Sequence, residues 1–177
     1  MGTEITLSSD RVYEGRVIHL RVDTVRLADG GLTKREIVEH RGAVALVAVG
    51  QDDNVLLVKQ YRKAAGKDLL EIPAGTLELG ENPLDCAQRE LQEETGHKAA
   101  RIEPLTGFYP CPGYSTEFIH VYVATGLQPS VAEHDDDEDI EVVPVPFPEA
   151  LKMVGSGEIC DAKSIIGLLA YARRKGM

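Results

Sequence analysis

Apolar residues fall into short runs separated by glycine- and acid-rich turns, a pattern that predicts many strands and few helices. Segments 12–27 and 32–40 are rich in β-branched residues, and Asp-Gly-Gly at 29–31 predicts a hairpin turn between them. Two strongly apolar strands, 43–49 and 55–61, are predicted to form a second hairpin. The first half of the chain is therefore predicted to be mainly antiparallel β-structure.

Strands and helices mix in the rest of the chain. Further strands are predicted at residues 71–75, 101–108, 118–124 and 140–145. Two helices are predicted at 148–155 and 164–174, the second of them amphipathic. This order predicts an α/β fold, an α/β/α sandwich with mixed central sheets. An N-terminal antiparallel β extension, residues 1–40, is expected to precede a domain spanning residues 41–177.

A further helix is predicted to begin after Asn82. Asn82 can cap its first turn, Pro83 suits the first helical position, and Gly96 can supply the left-handed residue past its end. The apolar residues that recur at three- and four-residue spacing, and should face a core, are Leu84, Ala87 and Leu91.

One stripe of this helix is crowded with carboxylates. Glu90, Glu93 and Glu94 lie about a quarter-turn from the apolar face. Like charges one turn apart destabilise a plain surface helix, so a positive group should compensate them. Carboxylate oxygens are the ligands that hard divalent cations such as Mg²⁺ prefer. The alternative interpretation is a solvated acidic face without chemistry.

The spacing of glycines and acids over residues 75–96 resembles the Nudix box. Gly75, Glu81 and the run RELQEETG at 89–96 match every specified position of that motif except the last, where His97 replaces an aliphatic or aromatic residue. The resemblance implies a Nudix fold and hydrolysis of nucleoside diphosphates linked to another moiety, with two or more Mg²⁺ or Mn²⁺ ions per site. Because His97 follows the helix, we interpret its departure as a packing change.

Motifs outside the box are similar to those of the ADP-ribose pyrophosphatase branch of this family. They are REIVEH, VKQYRKAAG, LLEIPAG, FYPCPGYSTEFIHVYVA, and Pro112 sixteen residues after Gly96. The likeness runs from about residue 13 to residue 171. It implies cleavage of ADP-ribose, or a related ADP-sugar, to AMP and ribose 5-phosphate.

The resemblance also implies a metal site. Glu90 and Glu94 are the expected direct ligands, with Glu93 as a further candidate. The backbone carbonyl of Ala74, expected in a loop facing the helix, is another candidate ligand. These four residues supply only oxygen donors, as Mg²⁺ and Mn²⁺ prefer.

Structural roles are expected for the other residues of the box. Arg89 is expected to form a fork-shaped ion pair that orients neighbouring glutamates and offsets their repulsion, with direct phosphate contact as the alternative. Glu78 and Glu81 are expected to hold metal-bound water or the geometry of their loop. Gly75 and Gly96 are expected to have structural roles, through backbone conformations or close approaches that a side chain would hinder.

A general base should come from a mobile loop that closes on substrate. Glu138, in the acid-rich run 133–139, is the predicted base, because related pyrophosphatases carry a glutamate there. Glu141 is the rival, and Glu93 is next. The alternative is that the whole run is a solvated loop.

Substrate contacts are implied at six further positions. Arg62, at the end of a core strand, is the expected phosphate clamp. The others are Arg35 and Glu36 at the adenine-ribose end, Val17 against adenine, Glu117 near the second metal and distal ribose, and Pro112.

Net charge, the N-terminal sequence and the cysteines limit the binding partners and the cellular setting that we expect. The net charge of −10 disfavours nucleic acid and anionic membranes as partners. The N-terminus lacks the order of a signal peptide, so a cytoplasmic enzyme is expected. Three widely spaced cysteines argue against a disulfide framework and a zinc site. Cys86 is interpreted as a small residue at the edge of the core and not as a nucleophile.

The N-terminal strand pair predicts an assembly, and other activities remain as alternatives to ADP-ribose hydrolysis. An N-terminal strand pair has edges that need covering, and in this branch it pairs with a second subunit, so a symmetric homodimer is expected. Within enzymes, the rivals act on a nucleotide-sugar, a dinucleoside polyphosphate, NADH or an oxidised nucleoside triphosphate. A non-catalytic sensor of ADP-ribose is the alternative from another class, and the intact box acids argue against it.

Overall fold

The computed structural model describes residues 3–131 and 139–177 and divides the chain into two compact units. The first unit combines the residues up to Gly42 with the segment Tyr109–Phe118. The second combines Ala43–Phe108 with the residues from Ile119 onward. The sequence predicted a single boundary after residue 40. The structure instead groups the later segment Tyr109–Phe118 with the N-terminal strands.

The first unit contains a three-stranded antiparallel sheet in the order β1-β2-β3. Its strands are β1 (Ile5–Glu14), β2 (His19–Arg26) and β3 (Leu32–Glu39). The predicted turn between β2 and β3 is confirmed, with Gly30 at φ 89°. The single strand predicted for 12–27 is wrong. The chain turns where the Gly15 N–H bonds the Ile18 carbonyl at 3.0 Å, and residues before the turn form β1.

The second unit contains a seven-stranded sheet. Its strands are β4 (Ala43–Val49), β5 (Asn54–Arg62), β6 (Lys67–Glu71), β7 (Ala74–Thr76), β8 (His97–Phe108), β9 (Ile119–Pro129) and β10 (Ile140–Pro146). They run in the order β10-β5-β4-β9-β8, with β6 paired to β5 and β7 paired to β4. The β4–β9 pair is parallel and the other pairs are antiparallel, so the sheet is mixed as predicted.

Three helices cover this sheet: α1 (Pro83–Thr95), α2 (Phe147–Ser156) and α3 (Ala162–Arg174). Side chains alternate between the two faces of β4. Val44 and Leu46 pack with Leu91 of α1, whereas Ala45 and Val47 pack with residues of α2 and α3. Both faces of the sheet are therefore buried, and the predicted α/β/α sandwich is confirmed. No helix in the described part of the chain is long and apolar enough to cross a membrane.

Two local predictions are corrected. The strand predicted at 71–75 is divided into β6 and β7 around Pro73, which has no N–H for a ladder. The Pro73 carbonyl instead accepts the Leu46 N–H at 2.8 Å. Leu84 does not face the core, because it is 44% exposed. It borders a surface groove beside Ala99 and Ala100, whose methyl groups are too short to cover it.

Candidate active site

Helix α1 has the ends that its sequence predicts. The Asn82 side chain accepts the Leu84 N–H at 2.8 Å, and Pro83 occupies the first helical position. Gly96 has a φ of 66°, and its N–H bonds the Gln92 carbonyl. His97 then begins β8, and its Nδ1 lies 2.7 Å from the Thr95 carbonyl oxygen. These contacts fix both the start and the end of the acidic helix.

Two carboxylates of this helix are buried. Glu90 is 9% exposed and Glu94 is 4% exposed. They lie one turn apart, so both project from the same side of α1. Burying a charge is costly unless polar partners surround it, so neither position is a solvated helix face. The alternative of an acidic surface without chemistry therefore does not describe these two residues.

Strand β7 receives both carboxylates. The Ala74 N–H donates to Glu94 Oε2 at 2.9 Å. A Cβ atom placed on Gly75 would lie 1.8 Å from the Cδ atom of Glu90, so only glycine leaves room for that carboxylate. Ala74 was expected in a loop, but it lies in β7 opposite Ala45. Because β7 pairs with the central strand β4, the sheet itself sets the position of the two glutamates.

Arg89 lies at the centre of the charged cluster. Its Nη1 donates to Glu90 Oε1 at 2.7 Å and to Glu93 Oε2 at 2.8 Å. Its Nε and Nη2 donate to Glu81 at 3.0 and 3.1 Å. These are the fork-shaped contacts expected of Arg89. The bond to Glu81 and the charge of Glu90 raise the pKa of Arg89 above its usual range, so the guanidinium stays charged.

Glu81 ties the loop before α1 to this arginine. Hydrogen bonding from Arg89 lowers the pKa of Glu81 to about 2, and the Glu78 N–H, which donates to Glu81 Oε2 at 2.9 Å, also lowers it. The Glu78 side chain itself is exposed. Glu81 therefore holds the loop through its carboxylate, whereas Glu78 contributes a backbone donor.

Cys86 lies beside the same cluster. Its sulfur is 3.3 Å from Arg89 Nη2, and burial raises the pKa of the thiol to about 12. A protonated thiol is a poor nucleophile and a poor metal ligand. The structure thus agrees with Cys86 as a packing residue.

The donor set of this cluster fits a hard divalent cation. Glu90, Glu93 and Glu94 offer carboxylate oxygens, and the backbone of Ala74 lies against Glu94. Among residues 3–131 and 139–177, however, no three His, Cys, Asp or Glu side chains form a ready-made metal cluster. Arg89 already bonds two of the three carboxylates, so an ion that binds Glu90 competes with this guanidinium.

The structure describes Glu141 but not Glu138, the two candidate bases outside helix α1. Glu138 lies outside the described residues, so its assignment stays a prediction. In β10, Val142 packs with the cluster of α1, whereas Val143 and Val145 pack with the cluster of α2 and α3. Alternation therefore places Glu141 on the face of the sheet opposite α1. Glu141 therefore lies on the other face of the sheet from the helix carboxylates, and its assignment as the rival base stays a prediction.

Arg62, the expected phosphate clamp, is bonded to a residue that sequence reasoning passed over. Its Nε and Nη2 donate to Glu71 Oε2 at 2.9 and 2.5 Å. Glu71 ends β6 and is 3% exposed. The sequence did contain a signal for this pair, because Glu71 directly follows the apolar residues Leu69 and Leu70. A charge next to a buried strand needs a partner.

The first unit holds most of the other predicted substrate residues. Arg35 bonds Glu4 at 2.6 Å, and this bond raises the pKa of Arg35. Glu36 is exposed and follows Arg35 in β3, so the two side chains point to opposite faces of the sheet. A single ligand group therefore does not meet both side chains from one face of this sheet.

Val17, Glu117 and Pro112 belong to the same unit, and His40 borders the same cavity as Val17 and lies near Glu117. Val17 is 53% exposed and borders a cavity of about 300 Å³. The other residues lining that cavity are Arg11, His19, Glu39, His40 and Arg41. Glu117 Oε1 lies 3.8 Å from His40 Nδ1, and Pro112 is exposed in a turn. Two arginines, two histidines and one glutamate thus line this cavity with Val17.

Comparison with known proteins agrees with this geometry. Residues 39–162 match the NUDIX domain, and residues 4–38 match the nucleoside diphosphate sugar hydrolase N-terminal domain. The ADP-ribose pyrophosphatase of Bacillus subtilis (strain 168) is 45% identical over 91% of this chain and 88% of its own length. The methanol dehydrogenase activator of Bacillus methanolicus is 42% identical over 93% of this chain and 90% of its own length.

A solved structure shares the fold. It is described as an ADP compounds hydrolase and superimposes with a TM-score of 0.86 over 98% of this chain and 96% of that chain, at 22% identity. The NUDIX match spans more than half of the chain and includes the whole of α1 with the strand that receives its glutamates. The chain belongs to the Nudix family.

Proposed function

We propose that this protein hydrolyses the pyrophosphate bond of ADP-ribose, or of a related ADP-sugar, to AMP and ribose 5-phosphate. The observation that carries the proposal is the pair of buried glutamates, Glu90 and Glu94, seated against Ala74 and Gly75 of β7. The relative from Bacillus subtilis is named an ADP-ribose pyrophosphatase and is similar over most of both chains. Together, the site supports the reaction class and the relative supports the substrate.

The residues that would hold divalent cations are Glu90, Glu94, Glu93 and the Ala74 carbonyl. When bound, two or more Mg²⁺ or Mn²⁺ ions would offset the charge of the phosphate oxygens and promote ionisation of the attacking water. Arg89 keeps Glu90 and Glu93 in place through its Nη1. Glu81 in turn fixes Arg89, so the loop and the helix hold the carboxylates together.

The other roles in the proposal fall on residues away from α1. Arg62 would bind a phosphate of the substrate, and Arg35 and Glu36 would contact its adenine-ribose end. Glu138 would accept the proton of the attacking water. Slow turnover of Glu138→Gln at saturating substrate, with normal substrate binding, is the measurement that decides this last assignment.

A panel of substrates tests the proposed function. Purified protein with Mg²⁺ should convert ADP-ribose to AMP and ribose 5-phosphate, and chelation should stop the reaction. ADP-mannose, NADH, a diadenosine polyphosphate and 8-oxo-dGTP form the rest of the panel, with products separated by chromatography. A higher kcat/KM for a diadenosine polyphosphate or for 8-oxo-dGTP contradicts the ADP-ribose assignment. Binding of ADP-ribose without cleavage supports a sensor instead.

We also propose that the protein acts as a symmetric homodimer through its N-terminal sheet. Strand β1 is an edge of that sheet, and all ten of its residues are exposed. Ile5, Val12 and Tyr13 each expose more than half of their surface. An uncovered edge with apolar side chains invites pairing with a second copy.

Sedimentation equilibrium measures this assembly. The mass should be twice the 19.3 kDa of one chain. Val12→Lys should shift the equilibrium towards monomer, because it places a charge in the buried interface. Val131→Lys is the matched control, since Val131 is exposed outside any strand. A monomeric wild-type protein, or equal effects of the two variants, contradicts a dimer through β1.

A further inference from the structure

Glu71 brings two cations together on one buried oxygen. Its Oε2 accepts Arg62 Nε and Nη2 from the end of β5. The same oxygen lies 3.1 Å from Lys163 Nζ, in the first turn of α3. A carboxylate that is only 3% exposed needs polar partners, and these cations replace the water that burial removes. The mechanism proposed above gives Glu71 no role.

We propose that Glu71 is a positioning residue that fixes the guanidinium of Arg62 for the diphosphate of the substrate. This inference rests on the proposed function of Arg62 as a phosphate clamp. Arginine carries a large rotamer entropy, and a guanidinium already held in place loses less of it on binding. The side-on contact of Nε and Nη2 with one oxygen restricts the orientation of the guanidinium plane.

Lys163 shares the carboxylate of Glu71 with Arg62. Two cations therefore lie on one carboxylate, and the second carboxylate of the group, Asp161, contacts Lys163. Lys163 also contacts Asp161 Oδ2 at 3.1 Å, and the same oxygen accepts the Ser164 N–H. The start of α3 therefore anchors Lys163, and through it the buried carboxylate.

The rival explanation is that Glu71 has a purely structural role, because its contact with Lys163 also holds β6 against α3. The buried hydroxyl of Ser164 accepts the Ile72 N–H at 2.8 Å, one residue after Glu71. This bond joins the residue that follows β6 to α3 without touching Arg62. Ser164→Ala therefore removes the clamp alone, whereas Glu71→Gln removes the charge that faces Arg62. The two variants separate positioning from clamping.

Steady-state kinetics with ADP-ribose and Mg²⁺, run well below the melting temperature of each variant, test the proposal. Glu71→Gln should raise KM about tenfold and change kcat less than about twofold, as expected for loss of a charge-assisted bond behind a binding group. Ser164→Ala should lower Tm but leave KM unchanged. In an Arg62→Ala background, Glu71→Gln should raise KM no further, because its effect passes through Arg62.

Three outcomes would overturn the proposal. An unchanged KM in Glu71→Gln shows that the carboxylate does not serve binding. Equal KM changes in Glu71→Gln and Ser164→Ala show a clamp. A further rise of KM in the double variant shows that Glu71 acts apart from Arg62. If wild-type protein does not cleave ADP-ribose, the proposed function fails separately, and calorimetric Kd values for ADP with the same variants still decide the role of Glu71.

Discussion

Glu94→Gln should lower kcat by about two to three orders of magnitude while the protein stays folded. The glutamine carbonyl can still accept the Ala74 N–H, so the hydrogen bond at 2.9 Å has a replacement. What disappears is a negative charge at the expected metal site. Removing one acid from a crowded stripe also relieves repulsion, so Tm should not fall. Turnover against Mg²⁺ concentration at saturating ADP-ribose measures the effect.

Glu141→Gln is the matched control for that substitution. Glu141 is exposed and lies on the face of the sheet opposite α1. The same change of chemistry there should leave kcat within about twofold of wild type, since surface substitutions away from a site are usually mild. If Glu94→Gln keeps most of its Mg²⁺-dependent turnover, Glu94 is not a metal ligand.

The second large effect is expected at a residue with no side chain. In Gly75→Ala, the new methyl carbon would lie 1.8 Å from Glu90 Cδ and 1.9 Å from Glu90 Oε1, far inside the contact distance of about 3.5 Å. The Glu90 carboxylate must move away from β7, and its bond to Arg89 at 2.7 Å must change. We expect kcat to fall by about a hundredfold or more, as for loss of a charged group at the reacting centre.

Two comparisons isolate the cause of this loss. Gly155→Ala adds the same methyl where no described atom beyond its chain neighbours and its own helix backbone lies within 4 Å, so its kcat should match wild type. Glu90→Gln and the double variant Gly75→Ala/Glu90→Gln should have similar rates, because the methyl group acts by displacing Glu90. Full activity of Gly75→Ala would mean that the position of Glu90 is unimportant for turnover.

Local signals account for what the sequence predicted well. The cap at Asn82, the proline at the first helical position and the left-handed Gly96 each act within one turn of α1, so a single segment specifies both helix ends. The apolar runs of β4 and β5 likewise predict a sheet buried on both faces. The positions of the glutamates on α1 follow, because they depend mainly on helical geometry.

Contacts between distant segments account for what it did not predict. Glu71 meets Lys163 across 92 positions of the chain, and no periodicity reports such a pairing. The extra strand β1 depends on a turn at Gly15 that the β-branched pattern of residues 12–27 conceals. The face of the sheet on which Glu141 lies is likewise set by the pairing of β10 with β5, which no local pattern reports.

Arg89 has a consequence for the stability of the fold when no divalent ion is bound. Its guanidinium already satisfies Glu81, Glu90 and Glu93, and so serves as a built-in counterion for the acidic helix. Proteins whose folding depends on a structural metal unfold when chelators remove it. Here the chain should keep the same Tm in EDTA as in buffer. Loss of the divalent ion would then stop turnover but leave the fold intact, so activity should return when the ion is added back.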